Sequence, residues 1–473
     1  MISLFKLFDL PRVLLLLILF VLYVVFSGIT SFPLTTYELM TLVTSEHLTA
    51  GSIMYKDVFH WTEPLTAWVN YILFFLFERS ILYYRIVALV IIFFQAVLFN
   101  QTLNGKDCYD QKTSLPTFIY LSFCLLFPDM ISLSAVVMGN TFLLLVFYFL
   151  ISYIRDNEYE QPIFWIGFCS SIAFLFYAPY IVLLPASLFV LILYSPTNAR
   201  KIVTILYAYL LPLVLLWSYF FWNDAATYLS QNFLQKVFNF QAVHYLSFKQ
   251  LLLIVVIPLV WMFIGFIAIS RATSFVNFQY RIIQSSYVFF VFSLAGMLLV
   301  KERSVFTMWQ LVPFVVVIAV YFLTLQKRKW FADLVLLSSL GALLFIHAEL
   351  NIGIQNPTDG EASLVASKNE VAWEKNEQVK TVLVLGNNAA AYVHHKLATP
   401  FLNWNLSESY FRDMESYESV NLLDRYFSKE LPHIIIDPNA VMGPVFFRLP
   451  LVSNLYEEQK KGIYVLKRLK VVI

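Results

Sequence analysis

Glu38, Glu46, His47, Asp57, His60 and Glu63 crowd into one stretch between two apolar runs. A carboxylate at the edge of a low-dielectric medium can act as general base toward an acceptor hydroxyl or amine. Far along the chain, Lys301 and Arg303 stand at the end of another apolar run and could hold a phosphate leaving group. Joined in one site, these parts define transfer from a phosphorylated lipid donor. Each also has a plainer reading: a solvated acidic loop, and a pair of cations anchored among headgroups. Asp129 lies within an apolar run, where an acid is costly and could serve as a proton or ion relay. His47 and His60 are thirteen residues apart, without ligand spacing, and no metal site is expected from them.

The elements that must position these residues are set by the solvent. The 473 residues are 60% hydrophobic and 13% charged, with a mean hydropathy of +0.72. Water cannot be the main solvent for such a chain. Apolar runs of about 17 to 22 residues, long enough to cross the hydrocarbon as helices, recur along three quarters of it. They centre near Leu17, Val90, Leu125, Val146, Ala173, Leu188, Leu213, Ile257, Phe292, Val317 and Leu340. We therefore expect an α-helical polytopic membrane protein of about eleven transmembrane helices. The formal charge of +2 and the scatter of basic residues speak against a nucleic-acid partner. Cys108, Cys124 and Cys169 show neither pairing nor ligand spacing and read as packing residues. Nothing like a small-residue cleavage site follows the first run, so it should remain as a helix.

Lys and Arg alternate with the crossings. Lys6 and Arg12, Lys106 and Lys112, Arg155, Arg200 and Lys201, Arg271 and Arg281, and Lys327 to Lys329 fall in loops on one side, which the positive-inside bias makes cytoplasmic. The N-terminus is then cytoplasmic, and everything after about His347 is extracytoplasmic. Residues 31–80 form a first extracytoplasmic loop, in which Leu65 to Phe77 reads as an interfacial helix anchored by Trp61 and Trp68; a plain second crossing is the alternative. Residues 1–349 make the transmembrane domain and 350–375 a linker. Residues 376–473 make a small extracytoplasmic α/β domain, with strands at Thr381–Leu385, His433–Ile436 and Gly462–Leu466 and helices at Ala389–Lys396 and Glu408–Phe427. Gly386-Asn387-Asn388 lacks a dinucleotide fingerprint, so no such cofactor is expected there. His394 and His395 read as surface residues.

The layout resembles the GT-C glycosyltransferases, which include protein O-mannosyltransferases and lipid A aminoarabinose transferases. The order of elements carries the likeness: one helix, a long acidic outer loop, an interfacial helix, then many helices and a soluble C-terminal domain. Glu38, Gly51, Tyr55-Lys56-Asp57 and Pro64-Leu65 follow the family's order, as do Arg85, the stretch from Gly167 through Pro179 and Pro185, and Lys301, Arg303 and Pro313. Departures are the lone Glu38 where an Asp-Glu pair is common, Thr62-Glu63-Pro64 at the interfacial helix, Asn140 where members often have Asp, and Tyr177-Ala178 before Pro179.

The resemblance implies a transferase of the bacterial inner membrane that moves a sugar from a polyprenyl-phosphate carrier to an acceptor on the extracytoplasmic face. Asp57, Glu38 and Glu63 are the catalytic candidates. Lys301, Arg303, His60, Arg85, Asp129 and Asn140 are the candidates for holding substrate. No redox cofactor is needed, although some members use a divalent cation. The expected partners are the lipid-linked donor and membrane lipid. The rival reading is a non-catalytic subunit on the same scaffold, docked to a protein of an envelope assembly.

Overall fold

The computed structural model describes residues 5, 7, 9–26, 33–125, 131–156, 159–194, 198–234, 237, 243–244, 248–272, 275–300, 302–303, 305–355, 366, 379–398 and 400–467. Asp129 and Lys301 lie outside them, as does most of the expected linker. The chain forms two compact units. The first comprises Met1–Phe32, Ile81–Ser218 and Val237–Glu361, and the second Pro33–Ser80, Tyr219–Lys236 and Ala362–Ile473.

The first unit is helical. In chain order, with elements of the second unit included for numbering, the helices are α1 (Leu10–Phe26), α2 (Thr36–Thr49), α3 (Pro64–Phe77), α4 (Ile81–Gly105), α5 (Leu115–Leu125), α6 (Ala135–Arg155), α7 (Gln161–Phe176), α8 (Leu183–Tyr194) and α9 (Ala199–Trp222). A short α10 (Ala226–Leu229) follows, then α11 (Phe248–Ser270), α12 (Asn277–Gly296), α13 (Val312–Leu325) and α14 (Lys329–Gln355). A helix covers each of the eleven apolar centres, but among the described residues seven helical segments are long and apolar enough to span a membrane. Helices α1, α5, α7 and α8, at 17, 11, 16 and 12 residues, are shorter.

The unit is inverted relative to a water-soluble bundle. Gln95, Asn100, Asn140, Ser170 and Ser286 are buried, while Val203, Leu210, Val214 and Phe263 are exposed. Such a surface is stable only against hydrocarbon, and the chain is a multi-pass membrane protein. The small-residue rule of lipid-embedded packing is visible at Gly167, where a Cβ would come within 2.3 Å of the Ile205 carbonyl oxygen; only glycine lets α7 and α9 approach so closely.

The second unit joins the first loop to the C-terminal residues. Its five-stranded sheet, among the described residues, runs in the order β4-β3-β5-β7-β6, from β3 (Thr381–Val384), β4 (Lys396–Leu397), β5 (Ile434–Ile436), β6 (Tyr456–Lys460) and β7 (Ile463–Leu466). β4, β3 and β5 are parallel, while β7 is antiparallel to β5 and to β6. Two short strands, β1 (Val243–His244) and β2 (Glu302–Arg303), pair in the first unit. The expected helix at Glu408–Phe427 is two helices, α15 (Trp404–Arg412) and α16 (Tyr417–Lys429), separated where the Ser416 amide donates to the Asp413 carboxylate. α17 (Met442–Arg448) follows β5.

Leu39, Val43 and Val58 of the first loop share one apolar core with Val382, Val384 and Val465. Phe59 enters another with Phe401, Phe411 and Tyr426. The Phe59 amide donates to the Pro400 carbonyl at 2.6 Å, and the Asn403 amide donates to the Phe59 carbonyl at 3.0 Å. Amides exchanged in both directions fix the loop's register against the C-terminal residues.

Candidate functional site

The second unit contains a cleft of about 530 Å³, lined among others by Glu46, His47, Asp57, Lys396, Tyr426 and Lys429. Asp57 is positioned by a tight turn. The Asp57 amide donates to the Ile53 carbonyl, and the Ile53 amide donates back to Asp57 Oδ2, both at 2.8 Å. Gly51 precedes it at φ +89° and Tyr55 sits at φ +67°. A left-handed tyrosine costs roughly 1–2 kcal/mol. It is held there because its ring is fully buried beside Phe220 and Phe233 and its hydroxyl donates to the Thr62 carbonyl at 2.7 Å. The turn leaves Asp57 Oδ1 facing Lys429 Nζ at 3.8 Å. The Tyr426 hydroxyl donates to the Lys56 carbonyl at 2.6 Å, binding α16 to the same turn.

A second charge cluster forms beside it. Glu46 Oε2 accepts from Arg79 Nη2, and Glu46 Oε1 lies 3.1 Å from Lys396 Nζ. Burial alone would raise the Glu46 carboxyl, but Arg79 and Lys396 outweigh it and hold it below the ordinary value. Arg79 also donates to the carbonyls of Tyr392 and Val393, at 3.1 and 3.2 Å. His47, next along α2, is pushed down by burial and is favoured neutral.

The other sequence candidates take separate places. Glu38 is the third residue of a capping box: its amide donates to Thr35 Oγ1 at 3.1 Å, and its Oε2 accepts from the Thr35 amide and hydroxyl at 3.0 and 3.1 Å. Glu63 occupies the cap position ahead of Pro64 at the start of α3, and its charge helps raise the Tyr55 phenol. His60 is buried, with Nδ1 accepting from the Thr62 amide at 3.2 Å and Nε2 without a hydrogen-bond partner; burial pushes its imidazole down to about 4.

Three of the described candidates belong to the first unit. Arg85 is buried in the second turn of α4. Asn140, fully buried in α6, donates to the Tyr120 hydroxyl at 2.7 Å and accepts from the Tyr180 hydroxyl at 3.3 Å. Tyr120 in turn donates to Gln95, so the four side chains form one polar network inside the helical unit. Arg303 lies in β2, its backbone opposite His244.

Lys396, Lys429 and Tyr426 were not among the sequence candidates. They lie more than 300 residues from the acids they face, and no local spacing marks them. Glu38, by contrast, stands three residues after Thr35, the spacing that signals a cap. Among the described residues no three His, Cys, Asp or Glu side chains converge as metal ligands, and Glu46 is committed to two cations.

Comparison of the whole structure with solved structures finds the apo oligosaccharyltransferase of Archaeoglobus fulgidus, at TM-score 0.51 and 9% identity, over 97% of this chain and 74% of that one. The oligosaccharyltransferase AglB of the same organism, in complex with an inhibitory peptide and a dolichol-phosphate, matches at TM-score 0.45 and 10% identity, over 93% and 71% of the two chains. The first likeness is one of fold. No family model matches the sequence, and comparison with curated proteins finds no match.

Proposed function

We propose that the protein is a GT-C type glycosyltransferase that takes a sugar from a polyprenyl-phosphate donor and passes it to an acceptor on the extracytoplasmic face of a bacterial inner membrane. The observation that carries the reading is the cleft in which Asp57, fixed by its own turn, faces Lys429. The fold, shared with an enzyme named as an oligosaccharyltransferase, supports it.

In this reading Asp57 Oδ1 removes the acceptor proton as the sugar's anomeric bond to phosphate breaks. The group has one oxygen held by the Ile53 amide and one turned toward the cleft, so orientation is built in before substrate arrives. Lys429 Nζ stands 3.8 Å from Oδ1 on the cleft side. Lys301 and Arg303 receive the phosphate leaving group. Glu38 is the weaker catalytic candidate because its carboxylate caps α2.

That capping role, and the hydrogen-bonded Asn140, favour the second reading of a non-catalytic subunit docked in an envelope assembly. Polyprenyl phosphate binding to the protein in nanodiscs separates the two. The transferase reading expects binding that Lys301→Ala plus Arg303→Ala abolishes; equal binding by both proteins, or by neither, removes the phosphate clamp.

A further inference from the structure

A second cavity, of about 260 Å³, lies within the helical unit at the end of the bundle bearing the Lys- and Arg-rich connections. It is formed where the chain leaves α4, where α12 begins, and where α13 hands over to α14. Its lining includes Tyr109, Asp110, Phe275, Gln279, Tyr321 and Lys329. None of these has a part in the transferase reading.

The cavity carries opposite charges that do not neutralise each other. Gln279 Nε2 donates to Asp110 Oδ1 at 2.8 Å, which holds the carboxylate in place and leaves Oδ2 available. Lys329, in the first turn of α14, makes no ion pair among the described residues, and neither does Asp110 with any cation. The positive end of the α14 dipole adds to the lysine's field. Both charged side chains are exposed, so a ligand can reach them, whereas the Tyr109 hydroxyl is closed off from the cavity.

A fixed carboxylate and an ammonium without an ion pair, at one small cavity, suit a ligand that is itself zwitterionic. The ligand's phosphate would meet Lys329, and its amine would meet Asp110. The rings argue for a primary amine: Tyr109 and Tyr321 are packed edge to face at 4.8 Å, and Phe275 and Tyr321 at 5.4 Å. They fill against one another rather than opening the box that a trimethylammonium group needs. The surroundings argue for a lipid. Beside Lys329 on α14, Trp330, Leu334 and Leu337 are exposed, giving an aromatic anchor at headgroup level and an apolar strip for acyl chains.

From this we infer that the cavity binds the headgroup of a glycerophospholipid bearing a primary amine, of the phosphatidylethanolamine class, seated between Asp110 and Lys329. The site is independent of the cleft at Asp57.

The test is native mass spectrometry of the full chain released from nanodiscs of equal parts phosphatidylethanolamine, phosphatidylcholine and phosphatidylglycerol. One retained phosphatidylethanolamine, enriched at least tenfold over the other two, is expected. Asp110→Asn and Lys329→Gln should each cut that retention about tenfold. Equal retention of the three lipids by the wild-type protein overturns the inference without recourse to a variant. Retention unchanged in the Asp110→Asn, Lys329→Gln double variant overturns it equally. Soluble phosphoethanolamine distinguishes the source: failure to displace the lipid at millimolar concentration supports a lipid site, whereas full displacement points to a soluble ligand and against one.

Discussion

Lowering the pH should loosen the second unit through one histidine. His60 is 2% exposed, its Nδ1 accepts from the Thr62 amide, and its Nε2 is buried without a partner. Nδ1 also touches the Thr62 hydroxyl, and burial on all sides favours the neutral ring. Protonation would bury a charge whose Nε2–H has no acceptor. Burial accordingly takes the imidazole from 6.5 to about 4. Because the folded value is depressed, the unfolded chain takes up a proton that the folded one refuses as pH falls below about 6.5. Stability is then full above about pH 6.5 and declines by up to about 3 kcal/mol by pH 4. The perturbation is His60→Gln, which offers an oxygen to the Thr62 amide but does not titrate. The assay is unfolding in nanodiscs followed by protease susceptibility of the second unit, from pH 7.5 to 4.5, for both proteins. Carboxylates contribute equally to both curves, so the difference isolates His60. The variant should be the less stable at pH 7.5, and the gap should close or reverse by pH 4.5. Parallel curves, or an imidazole resonance titrating near 6.5, would refute the reasoning.

Four further outcomes follow from the geometry. Arg79→Ala leaves Glu46 with Lys396 alone and should cost on the order of 1–3 kcal/mol, with the Glu46 carboxyl moving up toward its ordinary value, read by carboxyl NMR. Gly462→Ala should destabilise the β6-β7 hairpin by roughly 1–3 kcal/mol, since φ is +76° and a Cβ would meet the Asp437 carbonyl oxygen at 2.5 Å. Gly51→Ala, left-handed but with open space around it, should cost about 1–2 kcal/mol, a backbone term alone; chemical denaturation compares the pair. Tyr120→Phe breaks the contacts to Gln95 and Asn140 and should lower thermal stability in detergent by about 1 kcal/mol.

The helical unit was legible because hydrocarbon imposes length and composition on each run, and a helix stands at every apolar centre. The number of full crossings was less legible, since a run such as Gln161–Phe176 joins its neighbour through a short 3-10 turn at Ala178–Val182 rather than a loop. The helix of the first loop was legible as the apolar stretch Leu65 to Phe77, and α3 spans Pro64–Phe77, whereas the turn that fixes Asp57 was not read from the sequence. The C-terminal strands at Thr381, Ile434 and Ile463 were visible as short β-branched runs. The lysines of the cleft were not: Lys396 sits in a two-residue strand and Lys429 at the last turn of α16, and only the folding of the first loop into the C-terminal core brings them to Glu46 and Asp57. Glu38 shows the opposite case, an acid whose type suggested chemistry and whose spacing from Thr35 spelled a helix cap.

The most direct measurement is transfer of labelled sugar from a polyprenyl-phosphate donor by the protein in proteoliposomes, wild type against Asp57→Asn, with the fold of each checked by protease resistance. The account predicts transfer by the wild type and a loss of about 10²–10⁴-fold, the range of a general base, in a variant that remains folded. Equal transfer by the two proteins would contradict it.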